Sequence, residues 1–240
     1  MSGRKQVLHE VLNGLVQLFL PSVCMLCGER LMDAERHVCR VCLDGLPATG
    51  FEDHPTDNEM TDKMREWMDV ERGISFFYYR SGEGASTIVE DFKYRGQSSL
   101  AYEMGREIGM RGRYAGAFDG IDYLVPVPLH KDRIASRGYN QSELIAKGIG
   151  AATGIEVLTD VLWRSTFKGT QTRLNGEERR KNVKGSFELT SRSSCLAGRH
   201  VAIVDDVFTT GATVEACAET LRGAGEVRVS VVTLCFSYNG

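Results

Sequence analysis

The chain has 240 residues, which is enough for one or two domains with a substantial hydrophobic core. Its apolar fraction of 42% and charged fraction of 25% are ordinary for a soluble globular protein. The formal net charge is −3, so the chain lacks the overall basic charge that would point to a nucleic-acid partner. A local basic patch is still compatible with this net charge.

The N-terminal segment places apolar side chains at helical spacing over residues 6–20 and predicts an amphipathic helix. Its apolar face would pack on the main domain or on another protein. The apolar run 15–20 is too short to span a membrane and is followed by no small-residue cleavage site. We therefore predict a cytoplasmic protein with no membrane span.

Four of the seven cysteines form two Cys-x2-Cys pairs, with eleven residues between the pairs. Four thiolates at this spacing are typical of a tetrahedral Zn²⁺ site with no open coordination position, which indicates a structural role. An iron–sulfur cluster uses the same number of ligands and stays open as an alternative. We predict a zinc finger within residues 1–46, with its ligands at Cys24, Cys27, Cys39 and Cys42.

Residues 47–72 are polar and contain prolines and acidic residues, so we predict a linker there and a main domain over 73–240. The main domain begins with a predicted strand over 74–80 and predicted helices over 85–95 and 98–114. The run 91–95 mixes basic and aromatic side chains. It indicates either a surface that stacks a base or grips phosphate, or the end of an amphipathic helix.

A strand predicted over 121–128 ends in two X-Pro bonds, at Pro126 and Pro128. Either bond could be cis, which would turn backbone N–H groups towards a pyrophosphate. We therefore assign Val127 and Pro128 to a pyrophosphate site. Arg133 and Arg137 complete it, because residues at i and i+4 share one helical face and two guanidinium groups suit a diphosphate.

A helix predicted over 141–153 is followed by a basic stretch at 164–184 that has seven Lys or Arg residues and two Glu. A long basic loop beside a phosphate site is typical of a lid that closes over a reaction, and it could equally contact a nucleic-acid backbone. A return strand is predicted over 184–189.

The stretch 201–213 combines a buried strand, the acid pair Asp205 and Asp206, and a loop rich in hydroxyl groups. A helix predicted over 212–224 follows, and its N-terminal N–H groups favour a phosphate monoester. The loop residues that would hold it are Thr209, Thr210, Gly211, Ala212 and Thr213. With a last strand over 227–236, the order of elements predicts an α/β fold with a parallel sheet and a site at the carboxyl ends of its strands.

The stretch 201–213 resembles the phosphoribosyl-pyrophosphate (PRPP) motif of type I phosphoribosyltransferases. The whole chain resembles the ComF family, of the ComFC/GntX type. The segments that carry this resemblance follow one another in the order Phe19-Leu20-Pro21, the four cysteines, Phe92-Lys93-Tyr94, the VPVPLH run at 125–130, Arg137-Gly138-Tyr139-Asn140-Gln141, Gln171, Arg179, Asn182, Phe187 and VDDVFTTGAT at 204–213.

The resemblance implies a type I phosphoribosyltransferase fold that binds PRPP, together with Mg²⁺, and a link to DNA uptake. Asp205 and Asp206 would hold the ribose, residues 209–213 the 5-phosphate, and Gln171, Arg179 and Asn182 would belong to the lid. We expect an enzyme that transfers phosphoribose to an unknown acceptor. The alternative is a competence protein that binds single-stranded DNA, uses the PRPP site for sensing, and has a competence helicase or other DNA-uptake proteins as partners.

Overall fold

A computed structural model describes residues 22–165, 183 and 185–238. The chain divides into two compact units, with the boundary between Leu46 and Pro47. The helix predicted over 6–20 lies outside the described residues, and so do the lid residues Gln171, Arg179 and Asn182. The N-terminal unit carries the predicted metal ligands, and the main unit carries the sheet.

The N-terminal unit has little regular structure in its described part, residues 22–46. One short helix, α1, spans Arg40–Asp44, and the Cys39 side chain caps its start by accepting a hydrogen bond from the Cys42 N–H at 3.5 Å. Cys24, Cys39, Leu43 and Leu46 are its buried apolar side chains. So small a core gives this unit little hydrophobic stabilisation of its own.

The main unit is built on a five-stranded parallel sheet with the spatial order β1-β7-β6-β2-β3. Its strands are β1 (Gly73–Tyr78), β2 (Tyr123–Pro126), β3 (Glu156–Val157), β6 (His200–Phe208) and β7 (Arg228–Phe236). Two further strands, β4 (Leu162–Arg164) and β5 (Phe187–Leu189), form a separate antiparallel pair. β6 lies at the centre and is buried from His200 to Val204, as its unbroken apolar run requires.

Helices connect and cover the strands of the main unit. They are α2 (Glu59–Arg65), α3 (Gly84–Tyr94), α4 (Ser98–Tyr114), α5 (Lys131–Arg137), α6 (Gln141–Thr153) and α7 (Ala212–Arg222), with a 3-10 helix at Ser191–Leu196. α4 and α6 approach each other closely because glycines face the contact. A β-carbon added to Gly148 would lie 2.2 Å from the carbonyl oxygen of Tyr102, so only glycine fits there.

Residues 47–72 differ from the predicted linker, because they fold as part of the main unit. Met60 and Met64 of α2 are fully buried, and Phe51, Met68 and Val70 belong to the same hydrophobic core as β6 and α7. The prediction gave weight to the many charged residues of this stretch. Most of those charged residues are exposed, whereas Glu52, Lys63 and Arg72 are half-buried.

The parallel sheet confirms the predicted α/β fold class. The helices predicted over 85–95, 98–114 and 141–153 are confirmed as α3, α4 and α6, with bounds that differ by at most one residue. In the part of the chain that the structure describes, no helix combines the length and apolar character needed to cross a membrane.

Candidate functional site

The acid pair lies near the carboxyl end of the central strand. β6 continues through Asp205 and Asp206 as far as Phe208, and Asp205 is in register with Thr233 of β7. Asp206 is 4% exposed and Asp205 is half-buried. Two adjacent carboxyl groups with so little access to water need ion pairs or hydrogen bonds from neighbouring groups.

Lys93 of α3 supplies the compensating charge for Asp206. Its Nζ lies 2.7 Å from Asp206 Oδ1, and the lysine side chain is itself largely buried. Burial disfavours the charged amine, but the Asp206 carboxylate outweighs it and raises the pKa of Lys93. Asp206 Oδ2 is buried and accepts no hydrogen bond from any described residue. One buried carboxylate oxygen near the strand end is therefore without a hydrogen-bond partner among the described residues.

Asp205 is held by neutral donors. Its Oδ1 accepts hydrogen bonds from Ser142 Oγ at the start of α6 and from the Asp206 N–H, both at 2.9 Å. Burial and the Asp206 charge raise the pKa of Asp205 from 3.8 to about 7, although Lys93 and these two donors oppose the shift. Asp205 therefore changes charge near neutral pH.

The predicted phosphate loop connects β6 to α7. Gly211 caps the start of α7 with a φ of +76°, a left-handed conformation that favours glycine. Thr209, Thr210 and Thr213 are half-buried, whereas Gly211 and Ala212 are buried. The threonines are thus the partly accessible side chains around this helix N-terminus.

The pyrophosphate loop differs from prediction in two respects. Every peptide bond among the described residues is trans, so the expected cis bond at Pro126 or Pro128 is wrong. The Val127 N–H donates to the Val204 carbonyl oxygen at 2.9 Å, and Pro128 has no N–H. Neither Val127 nor Pro128 therefore offers a backbone donor to a pyrophosphate in this arrangement.

Arg133 and Arg137 lie on α5, four residues apart as predicted, and both are half-buried while the residues between them are exposed. The Arg137 guanidinium lies 5.7 Å from the centre of the Tyr94 ring and donates to Gln141 Oε1. Burial lowers the pKa of Arg164 on β4; Asp205 opposes this shift and Arg133 contributes to it. Arg164 therefore lies close enough to interact electrostatically with both Asp205 and Arg133.

The segment 137–142 joins the parts of the site. Tyr139 donates its hydroxyl proton to the Phe92 carbonyl oxygen, next to Lys93. The Asn140 side chain donates to the Val127 carbonyl oxygen at 3.0 Å and accepts from the Ser142 N–H at 3.2 Å, which caps α6. Three motifs that are distant in sequence therefore meet at the carboxyl ends of β2 and β6.

Sequence reasoning missed Lys93 and Ser142 as parts of this site. The sequence predicts that the run 91–95 stacks a base or grips phosphate, or that it ends an amphipathic helix. Phe92 is fully buried and cannot stack on a ligand. Tyr94 is 72% exposed and can. In the sequence, Lys93 stands as a cation between two aromatic residues. This pattern does not indicate which acidic residue the lysine pairs with.

The four predicted metal ligands lie together in the N-terminal unit. Their sulfur atoms all fall within 4.8 Å of one another, and Cys27 and Cys39 are 3.8 Å apart. Zn–S bonds of about 2.3 Å in a tetrahedron imply sulfur separations of about 3.8 Å, so the cluster fits one ion. Burial raises the pKa of Cys24, but backbone N–H groups led by that of Cys39 outweigh it and lower the pKa to about 6. These four thiols can hold a structural zinc ion.

Comparison with known proteins gives relatives along nearly the whole chain. "DNA utilization protein YhgH" of Escherichia coli O157:H7 is 29% identical over 233 residues, which cover 91% of this chain and 98% of the relative. "Competence protein F" of Haemophilus influenzae is 30% identical over 152 residues, 62% of this chain and 66% of the relative. "Competence protein ComFC" of Bacillus subtilis is 23% identical over 219 residues, 88% and 83%. The chain belongs to the ComF family.

No family model matches this ComF-family chain. Among solved structures, glutamine PRPP amidotransferase from Bacillus subtilis aligns with a TM-score of 0.39 and 21% identity, covering 59% of this chain and 30% of the other. An allosteric regulatory enzyme of purine biosynthesis aligns with the same TM-score and 20% identity, covering 59% and 29%. Similarity at this level carries no argument about the site.

Changing one ligand cysteine is expected to remove the metal. Purified wild-type protein should contain about one zinc per chain by elemental analysis, and Cys39→Ser should lose most of it, because a three-thiolate site is incomplete. Cys195→Ser is the control, since this exposed cysteine lies outside the cluster. Iron with visible absorption would instead identify an iron–sulfur cluster, and equal zinc in both variants would contradict the assignment.

The raised pKa of Asp205 predicts how stability depends on pH. The folded protein holds this proton up to about pH 7, whereas the unfolded chain releases it near pH 3.8. The free energy of unfolding should therefore fall as pH rises between these values, and Asp205→Asn should flatten that part of the profile. Urea unfolding at several pH values measures it. Identical slopes in the wild type and the variant would show that Asp205 ionises at its ordinary pKa.

Proposed function

We propose that this ComF-family protein binds PRPP and transfers its phosphoribose to an acceptor. The observation that carries the proposal is the buried Asp206, which has one oxygen paired with Lys93 and the other without a partner among the described residues. It stands beside Asp205 and only a few residues before the glycine-capped start of α7. A ligand with hydroxyl groups next to a phosphate monoester matches this order of acceptors and donors.

The ribose of PRPP suits the acid pair because its hydroxyl groups donate hydrogen bonds and carboxylates accept them. Lys93 pairs with Asp206 Oδ1, and Asp206 Oδ2 stays without a partner among the described residues, so that an acceptor is present for the sugar. As the bond to the diphosphate breaks, positive charge develops at the anomeric carbon. The carboxylates stabilise that charge by electrostatics and do not act as nucleophiles.

The 5-phosphate is assigned to the N-terminus of α7. The first N–H groups of an α-helix have no partner within the helix, and the helix dipole favours an anion there. Hydroxyl groups of Thr209, Thr210 and Thr213 add neutral donors around the same point. This placement leaves the diphosphate end for the cationic side of the site, where Arg133 and Arg137 lie on α5.

In the reaction, the acceptor forms a bond to the anomeric carbon and pyrophosphate leaves with the electron pair of the broken C–O bond. The chain offers a carboxylate oxygen at Asp206, which is the kind of ligand that Mg²⁺ prefers, so the residues present fit that ion. When bound with PRPP, Mg²⁺ would neutralise charge on the diphosphate. Arg133 and Arg137 would orient the leaving group, and the lid predicted over 164–184 would exclude water.

The names of the relatives support a biological setting for this proposal. Proteins called competence protein F, competence protein ComFC and DNA utilization protein align with this chain. We therefore place the proposed activity in the handling of incoming DNA in the cytoplasm, with DNA-uptake proteins such as a competence helicase as partners.

The proposal predicts PRPP binding that depends on the acid pair. Isothermal titration calorimetry with PRPP and Mg²⁺ at pH 8 should show one site in the wild type. Asp205→Asn and Asp206→Asn should each weaken it by about tenfold or more, because each loses a hydrogen bond to a charged acceptor. Glu219→Gln removes the same charge from an exposed position of α7 and should bind like the wild type.

Equal binding by the wild type and both aspartate variants would refute the site. Circular dichroism of each variant separates lost binding from lost folding. Pyrophosphate release on adding candidate bases then distinguishes an enzyme from a sensor, since a sensor would bind PRPP without turnover.

The second candidate function is binding of single-stranded DNA, and one surface favours it. Tyr94 is 72% exposed, carries the Arg137 guanidinium 5.7 Å from its ring centre, and is followed by Arg95, which is also exposed. Exposed aromatic rings beside cations are the usual platform for unpaired bases. In this candidate the PRPP site serves for sensing.

This candidate predicts DNA binding that falls steeply with salt, because each phosphate contact releases counterions. Tyr94→Ala should weaken binding of a short oligothymidylate by roughly five- to 150-fold, since stacking on one base is worth about 1–3 kcal/mol. Tyr114→Ala is the matched control, because Tyr114 is 97% exposed on α4. Fluorescence anisotropy at two salt concentrations measures this. No binding at low salt, or equal loss in both variants, would contradict it.

A further inference from the structure

The residues between α2 and β1 hold α7 at both of its ends. Residues 66–71 form a strap that begins after the buried Met64, whose carbonyl oxygen accepts from the Trp67 N–H at 3.1 Å. Near the end of the strap, the Asp69 carbonyl oxygen accepts from Arg222, the last residue of α7. The Glu71 N–H then donates to the Val229 carbonyl oxygen of β7 at 2.8 Å.

Trp67 brings the strap to the other end of the helix. A β-carbon added to Gly211 would lie 2.2 Å from Cη2 and 2.6 Å from Cζ2 of the Trp67 ring. The same atom would lie 2.9 Å from Cζ of Phe208. The indole edge therefore rests directly on the backbone of the residue that caps α7, and Phe208 supports it from the strand.

This contact adds a second constraint to the cap. A left-handed φ already favours glycine at 211, and the indole leaves no room for any side chain there. The ring fixes where the loop 209–211 turns and so where the first N–H groups of α7 point. An indole ring is a large, rigid support because only two side-chain torsions have to be fixed.

We infer that Trp67 is a positioning residue for the 5-phosphate of the ligand, an inference that rests on the proposed function. Its ring supports the turn at Gly211 so that N–H groups and threonine hydroxyls converge on one phosphate monoester. In this role the strap acts only through the turn at Gly211 and makes no direct contact with the substrate. Its effect is confined to the phosphate end of the ligand, away from Arg133 and Arg137.

The test compares two probes, one for each end of PRPP. Ribose 5-phosphate carries the monoester, and inorganic pyrophosphate carries the leaving group. Trp67→Ala should weaken the binding of ribose 5-phosphate by about tenfold or more, because misaligned donors lose hydrogen bonds to the charged phosphate. Pyrophosphate binding should stay within about twofold. Calorimetry with ribose 5-phosphate, pyrophosphate and PRPP gives the ratio of the two probe affinities in each variant. General unfolding would instead weaken the binding of both probes to the same extent.

The substitution Gly211→Ala tests the same contact if Trp67→Ala fails to fold. In the wild-type background it should abolish most ribose 5-phosphate binding. In a Trp67→Leu background, which removes the ring that meets the new methyl group, part of the binding should return. Non-additivity of this kind is expected only for residues in contact.

A spectroscopic signal reports the contact without mutation of its members. Trp67 and Trp163 are the two tryptophans of the chain, so Trp163→Phe leaves Trp67 as the sole reporter. Its emission should change on saturation with ribose 5-phosphate and not with pyrophosphate.

The possible failures are distinguishable. Wild-type affinity for ribose 5-phosphate in Trp67→Ala, with PRPP bound normally by the wild type, would overturn the role of Trp67 and leave the proposed function standing. Absence of binding of both PRPP and ribose 5-phosphate to the wild type would overturn the proposed function and this inference together.

Discussion

The site depends on one electrostatic constraint, namely that two neighbouring carboxyl groups occupy the end of a buried strand. Burying such groups costs several kcal/mol each unless they are paired or hydrogen-bonded. Different groups offset this desolvation cost for Asp205 and for Asp206. Lys93 pairs with Asp206, while Ser142 and a backbone N–H hold Asp205, whose pKa rises to about 7. A pair arranged in this way carries less negative charge than two free carboxylates, which favours an anionic ligand.

The surrounding fold serves to bring these compensating groups to one edge of the sheet. Lys93 comes from α3 and Ser142 from α6, and the segment 137–142 ties both helices to the loop after β2 through Tyr139 and Asn140. The strap at 66–71 places Trp67 against the start of α7. The acid pair is thus held by Lys93 and Ser142, while Trp67 supports the loop that follows the pair.

Much of this arrangement could be predicted because local patterns determine it. The apolar run before Asp205 requires a central strand, and parallel strands place their carboxyl ends at one edge. The cluster of four thiols, which could hold a metal ion, follows from the spacing of Cys24, Cys27, Cys39 and Cys42 alone.

The remaining features depend on tertiary contacts that no local pattern contains. Lys93 could equally have faced solvent, and only packing of α3 against the sheet brings it to Asp206. The stretch 47–72 has the composition of a linker, yet Met60 and Met64 at i and i+4 bury one face of α2. Strand pairing likewise decides that the Val127 N–H is used by the sheet.

The most direct measurement of the central claim is a crystal structure of the protein grown with PRPP and Mg²⁺. The account predicts ribose hydroxyl oxygens within about 2.5–3.0 Å of carboxylate oxygens of Asp205 and Asp206, and the 5-phosphate at the start of α7. A sugar bound elsewhere on the chain, or PRPP held by its phosphates with the acid pair untouched, would contradict it.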